Sequence, residues 1–336
     1  MSIILLCGVE MYKILGNTVL KTGQQMEVGV ISAPDASHAD EIMKFLGHKP
    51  GIFKWHIDRC VTESMDALET RFYVGKVEGT IITNIMTVEH EGIGILGHVF
   101  TLPDERRKGA CKGAMAFQME DFRQRKGRAL YLGTGYNGHP YHVYKGFGFE
   151  SVIPESGFMK YYVNSDFEET YFSPSPVKTK SVEWCDWSKI TALLSITGGD
   201  ILRSLKWRSY GPTNFEGGFL GFKQDLEEKD DYHDAKLLIT SDGAIVGLGT
   251  ISRDTRWRPE TAVLDIFFHP NFAGDAAILL SSLAFPDSKV QCYVDHTSEK
   301  KVSVLEDAGF TCEGQLRNQF TYADRNYDVL IYAREA

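Results

Sequence analysis

The chain has little that would mark it for nucleic acid, a membrane or a metal. Its 36 Lys and Arg are outnumbered by 45 Asp and Glu, for a formal net charge of -9. The basic excess that meets phosphates or anionic headgroups is missing, so neither nucleic acid nor a membrane surface is expected as a partner. No run approaches the roughly eighteen apolar residues of a membrane span. The N-terminal MSIILLCGVEMYK is short and has no basic residue before its apolar run, so a pairing strand or a tail is expected there rather than a leader. The 6 cysteines (Cys7, Cys60, Cys111, Cys185, Cys292, Cys312) form no C-x-x-C pair and have no His at metal-ligand spacing. They read as reduced thiols of a cytoplasmic protein. There is no H-E-x-x-H, no nucleophile elbow and no paired-carboxylate motif, so hydrolase chemistry has little support and no metal is expected.

Prolines are also scarce, 11 in 336 residues, and two of them fall in YFSPSPVKTKSVEW, a stretch without periodicity that reads as a linker. It divides the chain nearly in half, into lengths typical of single domains. We place an N-terminal extension at residues 1–25, a first domain at 26–165, a linker at 166–178 and a second domain at 179–336.

Both halves show the same order of elements. In the first, Ser37 is placed to cap a helix carrying Ala39, Ile42, Met43 and Leu46. TRFYVGKVEGTIITNIMTV then reads as a hairpin and GIGILGHVFT as a third strand. A helix over Arg106–Arg125 follows, with Cys111, Met115, Met119 and Phe122 on one face, then the strand RALYLGT and a short helix over Pro140–Lys145. In the second half, AKLLITSDGAIVGLGTIS is a hairpin turning at Asp242-Gly243. TAVLDIFFHP, a helix over Asn271–Leu283, KVQCYVD and a helix over Ser298–Asp307 follow. From Gly79 to Arg106 is 27 residues and from Gly243 to Asn271 is 28, so the halves read as an internal repeat.

Chemistry gathers between Gly97 and Phe149. Arg106-Arg107-Lys108-Gly109-Ala110-Cys111-Lys112 lies where a strand ends and a helix begins. The first turn of a helix has N–H groups without partners and the positive end of the macrodipole, a combination that binds phosphate oxygens. Gly109 lets the backbone approach an anion closely.

With the preceding Val-Phe-Thr-x-Pro, with Asn137, and with Tyr144-x-x-x-Gly148-Phe149, this loop resembles the GNAT superfamily of acyl-CoA-dependent N-acyltransferases. The resemblance covers roughly residues 26–163 in motif detail and residues 179–336 as element order. It implies an α/β (α+β) fold of two tandem GNAT-like domains, each a mixed, mostly antiparallel twisted sheet flanked by helices. It also implies acetyl-CoA as co-substrate. Val99, Phe100 and Thr101 would pair with the pantetheine arm, Arg106, Arg107, Lys108, Gly109, Ala110, Cys111 and Lys112 would hold the pyrophosphate, and Asn137 and Tyr144 would complete the cofactor contacts.

Tyr144 matches the residue that protonates the leaving thiolate, a role for which a hydroxyl with a pKa above that of a thiol is suited. The base is open among His98, Glu91, Glu89, His142 and a water chain. His98 has the right ordinary pKa, and simple strand alternation turns it away from Gly97 and Val99. Tyr136, Tyr141 and His142 are candidates to line the acceptor site.

The second half puts Asp275 in the anion position and Leu305 where the first has Tyr144, so acetyl-CoA chemistry is expected in the first copy alone. The second is placed to shape the acceptor site or to stand in for a dimer partner. Trp207, Arg208, Tyr210, Phe215 and Phe219 read as core or as the cover of an inter-domain cleft. The leading expectation is an N-acetyltransferase acting on a small-molecule or peptide amine. The alternative is a silent acyl-CoA-binding or protein-interaction module.

Overall fold

The computed structural model describes residues 12–258 and 260–335. The apolar N-terminal run before Tyr12 lies outside them, as does Cys7. The first half builds β1 (Tyr12–Val19), β2 (Gln25–Ala33), α1 (Ala39–Phe45), α2 (Gly51–Cys60), β3 (Glu69–Val77), β4 (Thr80–His90) and β5 (Ile93–Thr101). After these come α3 (Ala110–Gln124), β6 (Ala129–Gly133), α4 (His139–Lys145), β7 (Glu150–Ser151), β8 (Phe158–Tyr162) and α5 (Phe167–Tyr171). Its eight strands order as β1-β2-β3-β4-β5-β6-β8-β7, antiparallel except where β5 meets β6 in parallel. The expected extension is therefore partly sheet: residues 12–19 pair with β2 along its length. The cap expected from Ser37 is absent, because its hydroxyl and backbone N–H are both donated to Asp35.

The second half builds β9 (Val177–Ser181), α6 (Trp187–Ser195), β10 (Leu202–Ser204), β11 (Ser209–Tyr210), α7 (Glu216–Glu228), β12 (Tyr232–Thr240), β13 (Ile245–Asp254) and β14 (Thr261–Phe268). It closes with α8 (Ala276–Ser281), β15 (Val290–Asp295), α9 (Glu299–Asp307), β16 (Thr311–Tyr322) and β17 (Arg325–Arg334). The sheet order β16-β17-β15-β14-β13-β12-β9 repeats the first without a counterpart of β1. The presumed linker is structured: Phe167, Tyr171 and Phe172 are buried, and Val177–Ser181 pairs with β12. The long helix expected over residues 271–283 is a short 3-10 turn followed by the six residues of α8.

Apolar periodicity explains the layers. α3 turns Ala114, Met115, Met119 and Phe122 onto one face of the first sheet. On the other face lie α1 and α2, and with them α6 and α7 from the second half. All nine residues of α6 are buried, the mark of a helix enclosed on every side. It lies between the two sheets, and one contiguous apolar core runs through both halves. The aromatic cluster Trp207, Phe215 and Phe219 belongs to this core, with Trp207 against Phe215 at 4.5 Å and Trp187 stacked on Phe219 at 5.4 Å. No described helix is long and apolar enough to cross a membrane.

Candidate active site

The site begins with an irregularity in the β4–β5 pairing. Asn84 faces Phe100 and Met86 faces Gly97, so one residue of β4 stands against two of β5. Such a bulge leaves an extra residue unpaired and re-aims its side chain. Here His98 takes the left-handed region with φ 47, and its carbonyl accepts from Asn84 Nδ2 at 3.2 Å. Simple alternation is therefore broken, and His98 lies on the same side as Gly97. Its ring meets Phe53 of α2 edge-on at 5.2 Å, while a Cβ on Gly97 would lie against Glu216 Oε1.

Beyond the bulge the parallel pair opens. β5 and β6 are in register only from Ile93 to Ile95 and from Ala129 to Tyr131, after which the strands part toward Thr101 and Gly133. The loop Arg106–Lys112 lies past the open end. Arg107 and Gly109 are left-handed at φ 64 and 98, and the first intrahelical bond of α3 runs from Gly113 N–H to the Gly109 carbonyl. The N–H groups of Ala110, Cys111 and Lys112 thus precede the helical ladder. Nothing stands within 4 Å of where a Cβ on Gly109 would be. The first half thus joins an opened parallel strand pair to a glycine loop at the start of a helix.

Neither a family model nor a curated protein matches the chain. Solved structures resemble about half of it. A GNAT superfamily phosphinothricin acetyltransferase from Sinorhizobium meliloti, in complex with AcCoA, is 14% identical over 47% of this chain and 87% of its own, with a TM-score of 0.39. Mutant forms of the spermidine/spermine N-acetyltransferase from Vibrio cholerae are 17% identical over 47% and 94%, at 0.35. An acetyltransferase of the GNAT family from Streptococcus pneumoniae is 21% identical over 47% and 99%, at 0.34. At these identities and scores the likeness concerns fold, over half of the chain.

In the first half, Tyr144 is buried on α4 with its ring 6.1 Å from Phe149, and its hydroxyl makes no hydrogen bond to a described residue. Burial, with the Cys111 thiol and the Glu216 carboxyl nearby, raises its pKa well above that of an ordinary phenol. It keeps its proton at neutral pH. Asn137 is left-handed at φ 56, and its Oδ1 accepts from His142 Nε2 at 2.9 Å. Arg106 turns back to donate to the Thr101 carbonyl at 3.1 Å, and Lys108 pairs with Glu105 at 3.1 Å. Arg107 and Lys112 are left exposed at the loop. The Cys111 thiol, partly buried, is pushed up to about 11 and is no nucleophile at neutral pH.

Several expected residues are elsewhere. Glu91 sits in the turn before β5, exposed, 2.5 Å from Lys189 of α6. At about 3.3 Å per strand residue it is some 20 Å from Gly97. Glu89 is buried in an ion pair with Arg125 at 2.7 Å. Tyr141 points into the core with its hydroxyl 3.0 Å from Ser151 Oγ, and exposed Tyr136 packs on its ring edge at 5.2 Å. His98 is brought to the open strands, but burial, then Lys49 and His48, push its imidazole down to about 3, leaving it neutral.

The acid that does reach the site comes from the other half and was not anticipated. Glu216 opens α7, its backbone N–H capped by Asn214 Oδ1 at 3.1 Å. Burial raises its carboxyl to about 7, against the opposing pull of Lys49 and Asn214. The amide nitrogen of Asn214 lies against Gly133 as Glu216 lies against Gly97, so the two side chains touch both strands where they diverge. The signal for this in the sequence is Asn-Phe-Glu-Gly-Gly. Gly217 passes the Phe53 ring and Gly218 the Phe215 ring at distances that leave little or no room for a Cβ. Gly97→Ala is expected to displace the flexible Glu216 carboxylate while the fold stays intact. A purified variant with an unchanged melting temperature and the activity of this site reduced about tenfold, roughly 1.4 kcal/mol in the barrier, is the outcome to look for.

The second copy departs further than Asp275 and Leu305 indicate. β13 and β14 pair without a bulge from Gly247 opposite Phe268 to Asp254 opposite Thr261. The gap beside β14 and β15 holds residues 200–206 of the chain. Asp265 accepts from Leu205 N–H at 2.7 Å and from Ser204 Oγ at 2.7 Å, and Asp295 accepts from Leu202 N–H at 3.0 Å. Arg203 donates to the carbonyls of Leu194 and Ile196, and buried Lys301 donates to that of Leu202.

Proposed function

We propose that the chain is an acetyl-CoA-dependent N-acetyltransferase whose one working site lies in the first half and whose general base, Glu216, is supplied by the second. The observation that carries this reading is the Glu216 carboxyl set against Gly97 where β5 and β6 part, near enough to Tyr144 to help raise its pKa. Tyr144 holds a phenolic proton, and burial brings Glu216 to about 7. The fit for acetyl-CoA rests on three features: the bulge that frees backbone groups of β5, the open space at Gly109, and the unladdered N–H groups of Ala110, Cys111 and Lys112. Val99, Phe100 and Thr101 would take the pantetheine arm, Arg107 and Lys112 would add charge to the pyrophosphate loop, and Asn137 would flank the arm.

Acetyl-CoA supplies the activated thioester carbonyl. The chain's own part is to move two protons. Glu216 Oε1 accepts a proton from an ammonium so that its nitrogen can attack, and the Tyr144 hydroxyl gives one to a departing thiolate. Glu216, with a pKa about 7, is ionised in a useful fraction at neutral pH and still a strong enough base. His98 is not, since a group held near 3 gains little on taking a proton. Glu91 is too far away, and Tyr141 spends its hydroxyl on Ser151.

The test is a titration with acetyl-CoA followed by a release assay for free thiol over a panel of amines. Binding to the native state raises the melting temperature, by about 2.7 kcal/mol of stability at a hundred times the Kd. Calorimetry is expected to give one site per chain, because the second copy has no bulge and its gap is filled. Two equal sites, or no stabilisation at all, would defeat the proposal. Binding without transfer to any amine would favour a silent acyl-CoA-binding module.

A further inference from the structure

The acceptor side of the site carries a cation with nothing to bind. Lys49, in the turn between α1 and α2, is partly buried, and its Nζ makes neither a hydrogen bond nor an ion pair with any described residue. It feels Glu216 through space, and Glu216 feels it, without ion-pair contact between them. Beside them, His98 is 8% exposed and its Nε2 is buried with no partner. The walls are aromatic: His48 lies against Phe100 at 3.9 Å and Phe53 edges onto His98. A buried polar atom left without a partner is uncommon, and one aimed into a site points to a ligand that completes it.

We propose, on the transferase reading above, that the acceptor is a small primary amine that also carries a carboxylate, of the amino-acid class. Its carboxylate would lie between Lys49 Nζ and His98 Nε2, and its amino group against Glu216. The charges match in pairs: the substrate's anion meets Lys49, and its ammonium meets Glu216. A neutral imidazole can offer its Nε2 proton to the carboxylate. A polycationic amine would bring a second positive charge toward Lys49, which like-charge repulsion opposes. A neutral amine would leave Lys49 and His98 as unmatched as they are now.

The experiment compares a set of α-amino acids with their decarboxylated amines and their carboxamides as acceptors at saturating acetyl-CoA. It uses the full chain and its Lys49→Met and Lys49→Arg variants. With the native chain, the acids are expected to exceed the acid-free amines about 10- to 100-fold in kcat/KM, the range of a hydrogen bond to a charged group. Lys49→Met is expected to remove that preference by raising KM for the acids alone, and Lys49→Arg to restore most of it. Equal use of acids and acid-free amines, a preference for polyamines, or an equal loss on all acceptors in Lys49→Met overturns the inference and leaves the transferase standing. Failure to acetylate any amine while acetyl-CoA binds overturns both.

Discussion

Glu216→Gln is expected to lower kcat by about 10²- to 10⁴-fold, the usual contribution of a positioned base, with acetyl-CoA affinity unchanged. The pH profile is the sharper readout. A base must be ionised to act, so kcat/KM of the native chain should rise with pH through about 7, where Glu216 titrates. The Gln variant should lose that limb. Stability should move the other way. The folded pKa of Glu216 is raised above its unfolded value, so the protein is favoured while the group is protonated, and that advantage is lost as pH rises from the unfolded pKa through about 7. At pH 8 the Gln variant should therefore be more stable than the native chain, by on the order of 3 kcal/mol, and the gap should close below about pH 4. A Gln variant of full activity, or one less stable at pH 8 than the native chain, would remove Glu216 from the role of base.

Tyr144→Phe is the second large effect. A thiolate is a tolerable leaving group even unprotonated, so the loss belongs at the low end of acid–base contributions, about 10²-fold in kcat. The ring stays against Phe149 and the hydroxyl has no protein partner to leave unsatisfied, so stability and the Kd for acetyl-CoA should hold. A variant that turns over normally would mean that the thiolate leaves without help from α4. Combining Tyr144→Phe with Glu216→Gln should cost about as much as the two changes summed as free energies if each group moves its own proton.

What could be read in the sequence was what is local. The hairpin at Gly79, the apolar strand into Arg106–Lys112 and the pattern of Met115, Met119 and Phe122 on α3 all depend on residues close along the chain. The repeat was legible because both halves space these signals alike. The strand at residues 12–19 was missed because its side chains alternate weakly, with Ile14 and Val19 both exposed. The strand at Val177–Ser181 hid in a Lys- and Ser-rich edge position that buries little. The base was illegible for a different reason. Glu216 lies more than a hundred residues after Gly97, and nothing local distinguishes a carboxylate that ends in a neighbouring site from one at the start of a surface helix. His98 misled because alternation assumes an unbroken ladder, which the bulge opposite Asn84–Met86 does not supply.

The stretch from α6 into the first turn of α7 meets both sheets. Its early residues occupy the gap of the second sheet, and its last ones, Asn214 and Glu216, meet the first. On the reading proposed above, the cofactor loop and the base Glu216 come from separate halves of the polypeptide, while Lys49 and His98 stay with the first. On that reading, substitutions around Asn214, which caps Glu216 and lies against Gly133, would move the base without touching the loop at Gly109.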